Sequence, residues 1–171
     1  MPVTIALHAA IIVSLIVVHE LGHYVAGRAS GVPRNEMRIA LLRLPPHVAF
    51  ADGGDWVGPR TAERYGSLLQ KRLPAPRALF WFVASGLTVQ TVYAVVLFVF
   101  LYAAGLPVLG WMGLSYSAAI FAFYLGFDPL MTWITGHQTG DVTAMFAVSP
   151  GRATIMVLAM VALYAILLIV F

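Results

Sequence analysis

Apolar residues run along this chain in four long blocks, and most of the polar residues gather between the first and the second. The first block covers about residues 4–28 and stops before Gly31-Val32-Pro33. The second covers 78–104 and is closed by Gly105-Leu106-Pro107. The third covers 111–134. The fourth covers 153–171 and is entered through Ser149-Pro150, the pattern of an N-cap followed by proline at the first helical position. Blocks one, two and four meet the ~20 residues that a helix needs to cross the hydrocarbon core. The third is interrupted by Asp128-Pro129, and Pro129 is expected to kink that helix or end it early. The pattern predicts an all-α membrane protein of about four transmembrane helices, with 1–171 forming a single membrane core.

The segment 29–77 breaks the pattern and is too short for a second globular domain. Residues 37–44 and 47–51 read as two short strands joined by Pro45-Pro46, and Asp52-Gly53-Gly54-Asp55 reads as a turn. A small β-hairpin region is therefore expected after the first helix, followed by a short surface helix over 61–70. An exposed edge there could accept an extended peptide. His47 reads as an ordinary loop histidine, and His8 as facing the outer part of the bundle.

Composition agrees with this picture. Of 171 residues, 61% are hydrophobic and 10% charged, too apolar for an ordinary water-soluble domain. Nine of the ten Lys and Arg fall between Arg28 and Arg77, and only Arg152 lies elsewhere. That clustering is a topology signal rather than a nucleic-acid patch. It puts the 29–77 loop in the cytoplasm and the N-terminus outside a cell membrane. No charge precedes Glu20, so the first block does not read as a cleaved signal peptide. Without cysteine there is no disulfide and no thiolate, so any metal must be held by His, Asp or Glu.

The candidate chemistry lies in the first block, at His19-Glu20-Leu21-Gly22-His23. Residues four apart share one helix face, so His19 and His23 present two imidazoles side by side. Such a pair can hold one Zn²⁺, with Glu20 beside the open coordination position. Zinc lowers the pKa of a bound water to about 7, and a neighbouring carboxylate can take its proton. Each ionisable residue in mid-membrane costs about 2.5–3.5 kcal/mol on insertion scales, which favours a metal site over an idle polar cluster. At ~1.5 Å per residue, His19 lies roughly 22 Å along the helix from Thr4, towards the cytoplasmic side. Gly22, Ala26 and Gly27 are small enough to let another helix approach.

Two imidazoles leave such a site weak, so a third ligand is expected. Asp128 and Asp141 are the acidic candidates and His137 a neutral one. Asp141 follows Gly136-His137-Gln138-Thr139-Gly140 at the cytoplasmic end of the third span, the side where His19 and His23 lie. Either aspartate could instead cap a helix: Asp141 at the head of 142–148, Asp128 at the break before Pro129.

These residues resemble the site-2 proteases, a family of intramembrane zinc metalloproteases. The resemblance rests first on His19-Glu20-Leu21-Gly22-His23 within a membrane helix. Its second element is Gly86-Leu87-Thr88-Val89-Gln90, similar to the family's Gly-Pro-x-x-Asn with Leu87 in place of proline. Its third is Thr139-Gly140-Asp141, where the family has Leu-Asp-Gly with glycine after the acid. The Asn-Pro-rich lead-in is represented only by Phe127-Asp128-Pro129, farther upstream. The resemblance implies zinc, one ion per chain, held by His19, His23 and Asp141, with Asp128 as the second choice. It implies Glu20 as catalytic base, and Gly86 and Gln90 as residues that bind the substrate backbone. It further implies cleavage of a membrane-protein substrate within its transmembrane helix, in a lipid bilayer. This would be a minimal core without PDZ or CBS domains.

The degraded second and third motifs also fit a zinc-binding, non-proteolytic membrane protein that holds or regulates a partner. A prenyl-protein peptidase would need a downstream glutamate as ligand, and only Glu36 and Glu63 follow, both in the Arg-rich loop. A transporter would show internal repeats or paired broken helices, and neither is present.

Overall fold

A computed structural model describes residues 2–170. Six helices and one small sheet are found among them. Helix α1 (Pro2–Ala29) leads into a 3₁₀ turn at Arg34–Glu36 and three strands: β1 (Met37–Ile39), β2 (Val48–Asp52) and β3 (Asp55–Val57). Helices α2 (Ala62–Arg72), α3 (Pro76–Ala103), α4 (Pro107–Thr135), α5 (Gly140–Val148) and α6 (Pro150–Val170) follow. Four of them, α1, α3, α4 and α6, are long and apolar enough to cross a membrane, as the hydropathy pattern predicts.

Helix α3 is the centre of the bundle. Half of its most apolar stretch is buried, against 28% for α1 and α4 and 17% for α6. It packs on α1, α4 and α5, while α6 lies outside against α5 and α4. Helices α3, α4 and α6 each begin on a proline, at Pro76, Pro107 and Pro150, two to four residues before the hydropathy boundaries. Proline suits this position because the first helical amide has no partner to lose.

Pro129 does not end α4. The helix runs six residues further, to Thr135, and closes on Gly136 in the left-handed conformation (φ 70°). A membrane helix tolerates the missing amide because neighbouring groups can satisfy the freed carbonyl.

Close approach between α1 and α3 is set by Gly22. A methyl group there would stand 2.5 Å from the Ser85 carbonyl oxygen. Gly27 is likewise filled from outside, by the Met37 side chain of β1. These contacts fix the rotation of α1, and with it the direction in which His19 and His23 point.

The sheet has three strands rather than two, antiparallel in the order β1-β2-β3. The first is shorter than its apolar run because residues 40–46 turn away. The turn at Asp52–Asp55 returns the chain into the extra strand, pairing Phe50 with Val57 and Ala51 with Trp56. Phe50 is wholly buried and meets the rings of Phe82 on α3 and Tyr65 on α2. Helix α2 is tied to the sheet by Arg64 Nε donating to Asp52 (2.7 Å) and by the Tyr65 hydroxyl donating to the Val48 carbonyl (2.9 Å). An Arg72–Glu36 ion pair holds its far end.

Gly22→Ala should force the two helices apart, because the obstructing atoms are backbone, at an overpacking cost of about 1–3 kcal/mol. Gly66→Ala on α2 meets nothing within 4 Å and should be neutral or stabilising. Thermal unfolding of both variants in one detergent checks this; equal midpoints would refute the α1–α3 contact.

Candidate metal centre

The i, i+4 spacing on α1 places the imidazoles of His19 and His23 with their Nε2 atoms 3.1 Å apart. Asp141, in the first turn of α5, brings one carboxylate oxygen, Oδ2, to 2.9 Å from His19 Nε2 and 3.1 Å from His23 Nε2. Both histidines are buried. Burial alone pushes the Asp141 carboxyl up, but the adjacent His23 and His19 outweigh it and hold the group below the usual carboxylate range.

The outer nitrogens of both rings are already engaged. His19 Nδ1 donates to Gln90 Oε1 (3.1 Å), and His23 Nδ1 donates to the Phe82 carbonyl (2.7 Å). Each bond engages Nδ1 on the outer side and leaves Nε2 turned towards Asp141, the arrangement that orients metal-binding imidazoles. Gln90 is buried, and its amide nitrogen donates in turn to Ser117 Oγ on α4 (3.1 Å). Ser117 bonds the Tyr164 hydroxyl of α6 (2.7 Å), which donates to Thr91 Oγ1 on α3 (3.0 Å). One run of hydrogen bonds thus joins all four membrane helices to His19.

Gly86 lies across from the two imidazoles. A Cβ there would meet His19 Nε2 at 2.6 Å and would also press on His23 Nε2. Neither Gly86 nor Gln90 lines the cavity described below; both face the histidines.

Asp128 stands apart from the three converging groups. Its Oδ2 accepts the Val142 amide of α5 (3.0 Å), and its backbone carbonyl accepts the Thr139 hydroxyl (3.2 Å). It therefore caps a helix, but that helix is α5 rather than a broken α4. Asp141 is not a cap: the cap position is Thr139, and Asp141 sits within the first turn. Gly140 has φ +79°, and its Cα rests against the Asp128 carboxyl, so a side chain would be both strained and obstructed. Asp128 thus hangs α5 from α4 and sets the position of Asp141.

The three groups open onto a cavity of about 760 Å³, bounded by α1, α4, α5, the segment after α1 and, through Phe82 and Val83, α3. Glu20 lines it beside the histidines, and its Oε2 is buried with no hydrogen-bond partner among the described residues. His47 and the exposed His137 also reach the wall. His47 Nδ1 is turned back onto the Pro45 carbonyl (2.8 Å). His8, far along α1, bonds the Tyr116 hydroxyl. Of the two downstream glutamates, Glu36 is occupied by Arg72 and Glu63 stands exposed at the cavity edge.

The donor set suits zinc. Nitrogen and oxygen ligands at 2.0–2.1 Å in a tetrahedron stand roughly 3.3 Å from one another. The separations here are 2.9, 3.1 and 3.1 Å. Three such donors would leave a fourth position open on a tetrahedral ion, whereas a structural zinc is closed by four protein ligands.

Sequence reasoning missed Ser117, Thr91 and Tyr164, although polar side chains inside apolar spans are a signal in themselves. It also missed Tyr124, whose ring stacks on His19 with centroids 5.5 Å apart.

Fold and site together define a class: a multi-pass membrane protein whose first spanning helix carries a histidine pair that a distant aspartate meets, a group able to hold a metal ion. The chain matches the model of Peptidase family M50 over residues 7–171, and so belongs to that family, the site-2 proteases. The family is one of zinc metalloproteases. No curated protein and no solved structure matches the chain.

Gly86→Ala should place a methyl group on both ligand nitrogens and lower zinc affinity at least ~100-fold, the upper end of losses seen when groups around a metal site are disturbed. Chelator competition on purified protein measures it; wild-type affinity in the variant would refute the packing of α3 against the imidazoles.

Proposed function

We propose that this chain is a zinc-dependent intramembrane endopeptidase that cleaves transmembrane segments of membrane proteins. One observation carries the reading: His19, His23 and Asp141 converge at the wall of a cavity where Glu20 holds a buried, unpartnered carboxylate oxygen. Family membership supports metallopeptidase chemistry in general. Zinc bound by the three ligands would supply Lewis acidity and acidify a coordinated water.

The rest follows from the protein's own residues. Glu20 takes a proton from the attacking water and returns it to the leaving amine nitrogen. Its Oε2 has no competing donor, so it is free to act. Gln90 and the Phe82 carbonyl keep the imidazoles in register, and Gly86 leaves room for them. We assign Gly86 and Gln90 to holding the ligands rather than the substrate. The cavity, rather than Gly86 or Gln90, then receives the unwound stretch of substrate, since a helical carbonyl is shielded by its own hydrogen bond. The chain acts as one membrane core, with the Arg-rich segment 29–77 on the cytoplasmic side.

Glu20→Gln should keep zinc and abolish cleavage, whereas Asp141→Ala should lose both. The decisive comparison is of membrane proteomes from cells expressing wild type or Glu20→Gln at equal levels. One or a few single-span proteins should stay full-length with the variant and appear shortened only with wild type. Matching proteomes from two zinc-loaded proteins would sink the proteolytic reading and leave a metal-stabilised membrane binding protein.

Orientation is open to direct measurement because the chain has no native cysteine. A cysteine in place of the exposed Ser67 should react with a membrane-impermeant maleimide only after the cytoplasmic side is opened. Labelling of intact cells would reverse the topology.

A further inference from the structure

Tyr124 lies on α4, four residues before Asp128 and therefore on the same helix face. It lines the cavity that contains His19, Glu20, His23 and Asp141. Its ring lies nearly parallel to the His19 imidazole, with 18° between the planes.

Three other tyrosines spend their hydroxyls on the protein: Tyr65 on the Val48 carbonyl, Tyr116 on His8, and Tyr164 on Ser117 and Thr91. The Tyr124 hydroxyl has no hydrogen-bond partner among the described residues, although it stands on the wall beside the metal ligands. A phenol held in place by stacking, with its donor unused, suits a ligand that brings an acceptor.

We propose that Tyr124 is a further catalytic residue, donating a hydrogen bond to the scissile carbonyl oxygen as that oxygen becomes an oxyanion. This rests on the proteolytic reading above. In the first step, the water oxygen bonds to the carbonyl carbon, the C=O π pair moves onto oxygen, and Glu20 receives one water proton. The Tyr124 O–H meets the negative charge that develops. In the second step that pair re-forms C=O, the C–N bond breaks with its pair on nitrogen, and the amine takes the proton from Glu20. The remaining acid proton passes to the amine, leaving a carboxylate and an ammonium. Tyr124 donates throughout and is not consumed.

Tyr124→Phe keeps the ring against His19 and removes only the O–H. The test uses the full chain, zinc-loaded in detergent, with fluorescently labelled β-casein as substrate, an unfolded chain that needs no unwinding. Wild type, Tyr124→Phe and Glu20→Gln are compared, and zinc is quantified in each. Removal of one oxyanion donor costs roughly 10²–10³ in kcat. We expect that loss in Tyr124→Phe, with KM and zinc content at wild-type values. A kcat within about twofold of wild type overturns the proposal, because an interaction made only in the transition state must appear there. Loss of zinc in Tyr124→Phe also overturns it, by making the residue a support for His19. If wild type cleaves and Glu20→Gln does not, an unchanged Tyr124→Phe removes only this inference. If zinc-loaded wild type leaves casein intact, the proteolytic reading and the role of Tyr124 fall together.

Discussion

The constraint behind this structure is that polar groups placed inside an apolar bundle must find partners within the protein. His19 and His23 sit on a spanning helix that is otherwise almost wholly hydrophobic. Each ring has two nitrogens to satisfy. The outer pair is met by Gln90 and by the Phe82 carbonyl, and the inner pair by Asp141. Gln90 then needs a partner for its amide, which Ser117 provides, and Ser117 needs Tyr164. The requirement passes from helix to helix until α6 is included. Packing alone would let α6 slide on α5. The Tyr164 contacts with Ser117 and Thr91 give it one register.

Asp141 is delivered differently. It comes from a nine-residue helix outside the spans, too short to be stable alone. Its position is imposed from α4 through Asp128, which accepts the Val142 amide while Gly140 makes room for the carboxyl. Thr132 adds a second tie, accepting the Thr139 amide (3.0 Å). The two acids that competed for the third-ligand position therefore have complementary parts. One reaches the histidines, and the other anchors the helix that carries it.

Much of this was legible in the sequence, and for physical reasons. Hydropathy reports membrane helices well because lipid leaves the backbone few alternatives. The i, i+4 histidine pair needs no tertiary information to share a face. Asp141 could be placed near them because successive spans alternate in direction, which brings the ends of the first and third to the same side. The illegible parts depend on rotation about helix axes. Nothing in Gly86-Leu87-Thr88-Val89-Gln90 says that its glycine and amide face two imidazoles. Gly22 and Ser85 set that rotation through a contact between distant segments. The strand β3 escaped notice because three residues carry little periodicity, and its pairing depends on the positive φ values of Gly53 and Gly54 in the turn. The continuation of α4 past Pro129 is likewise a tertiary result, since α5 packs against that stretch and closes it.

The arrangement also bears on whether a metal held here would be structural or reactive. A structural zinc closes its coordination with protein ligands and needs no space around it. Among the described residues three potential ligand groups converge, and they do so at the edge of a large cavity rather than in the packed core. The unpartnered Glu20 oxygen is harder still to reconcile with a purely structural centre. A buried carboxyl oxygen without a donor is destabilising, and Gln at that position would carry nearly the same shape without the charge. Such a group makes sense where something transient, a water or an amine, supplies the missing partner. Strain of this kind concentrates at sites that act on a substrate, where the folded state forgoes some stability so that a reacting group stays available.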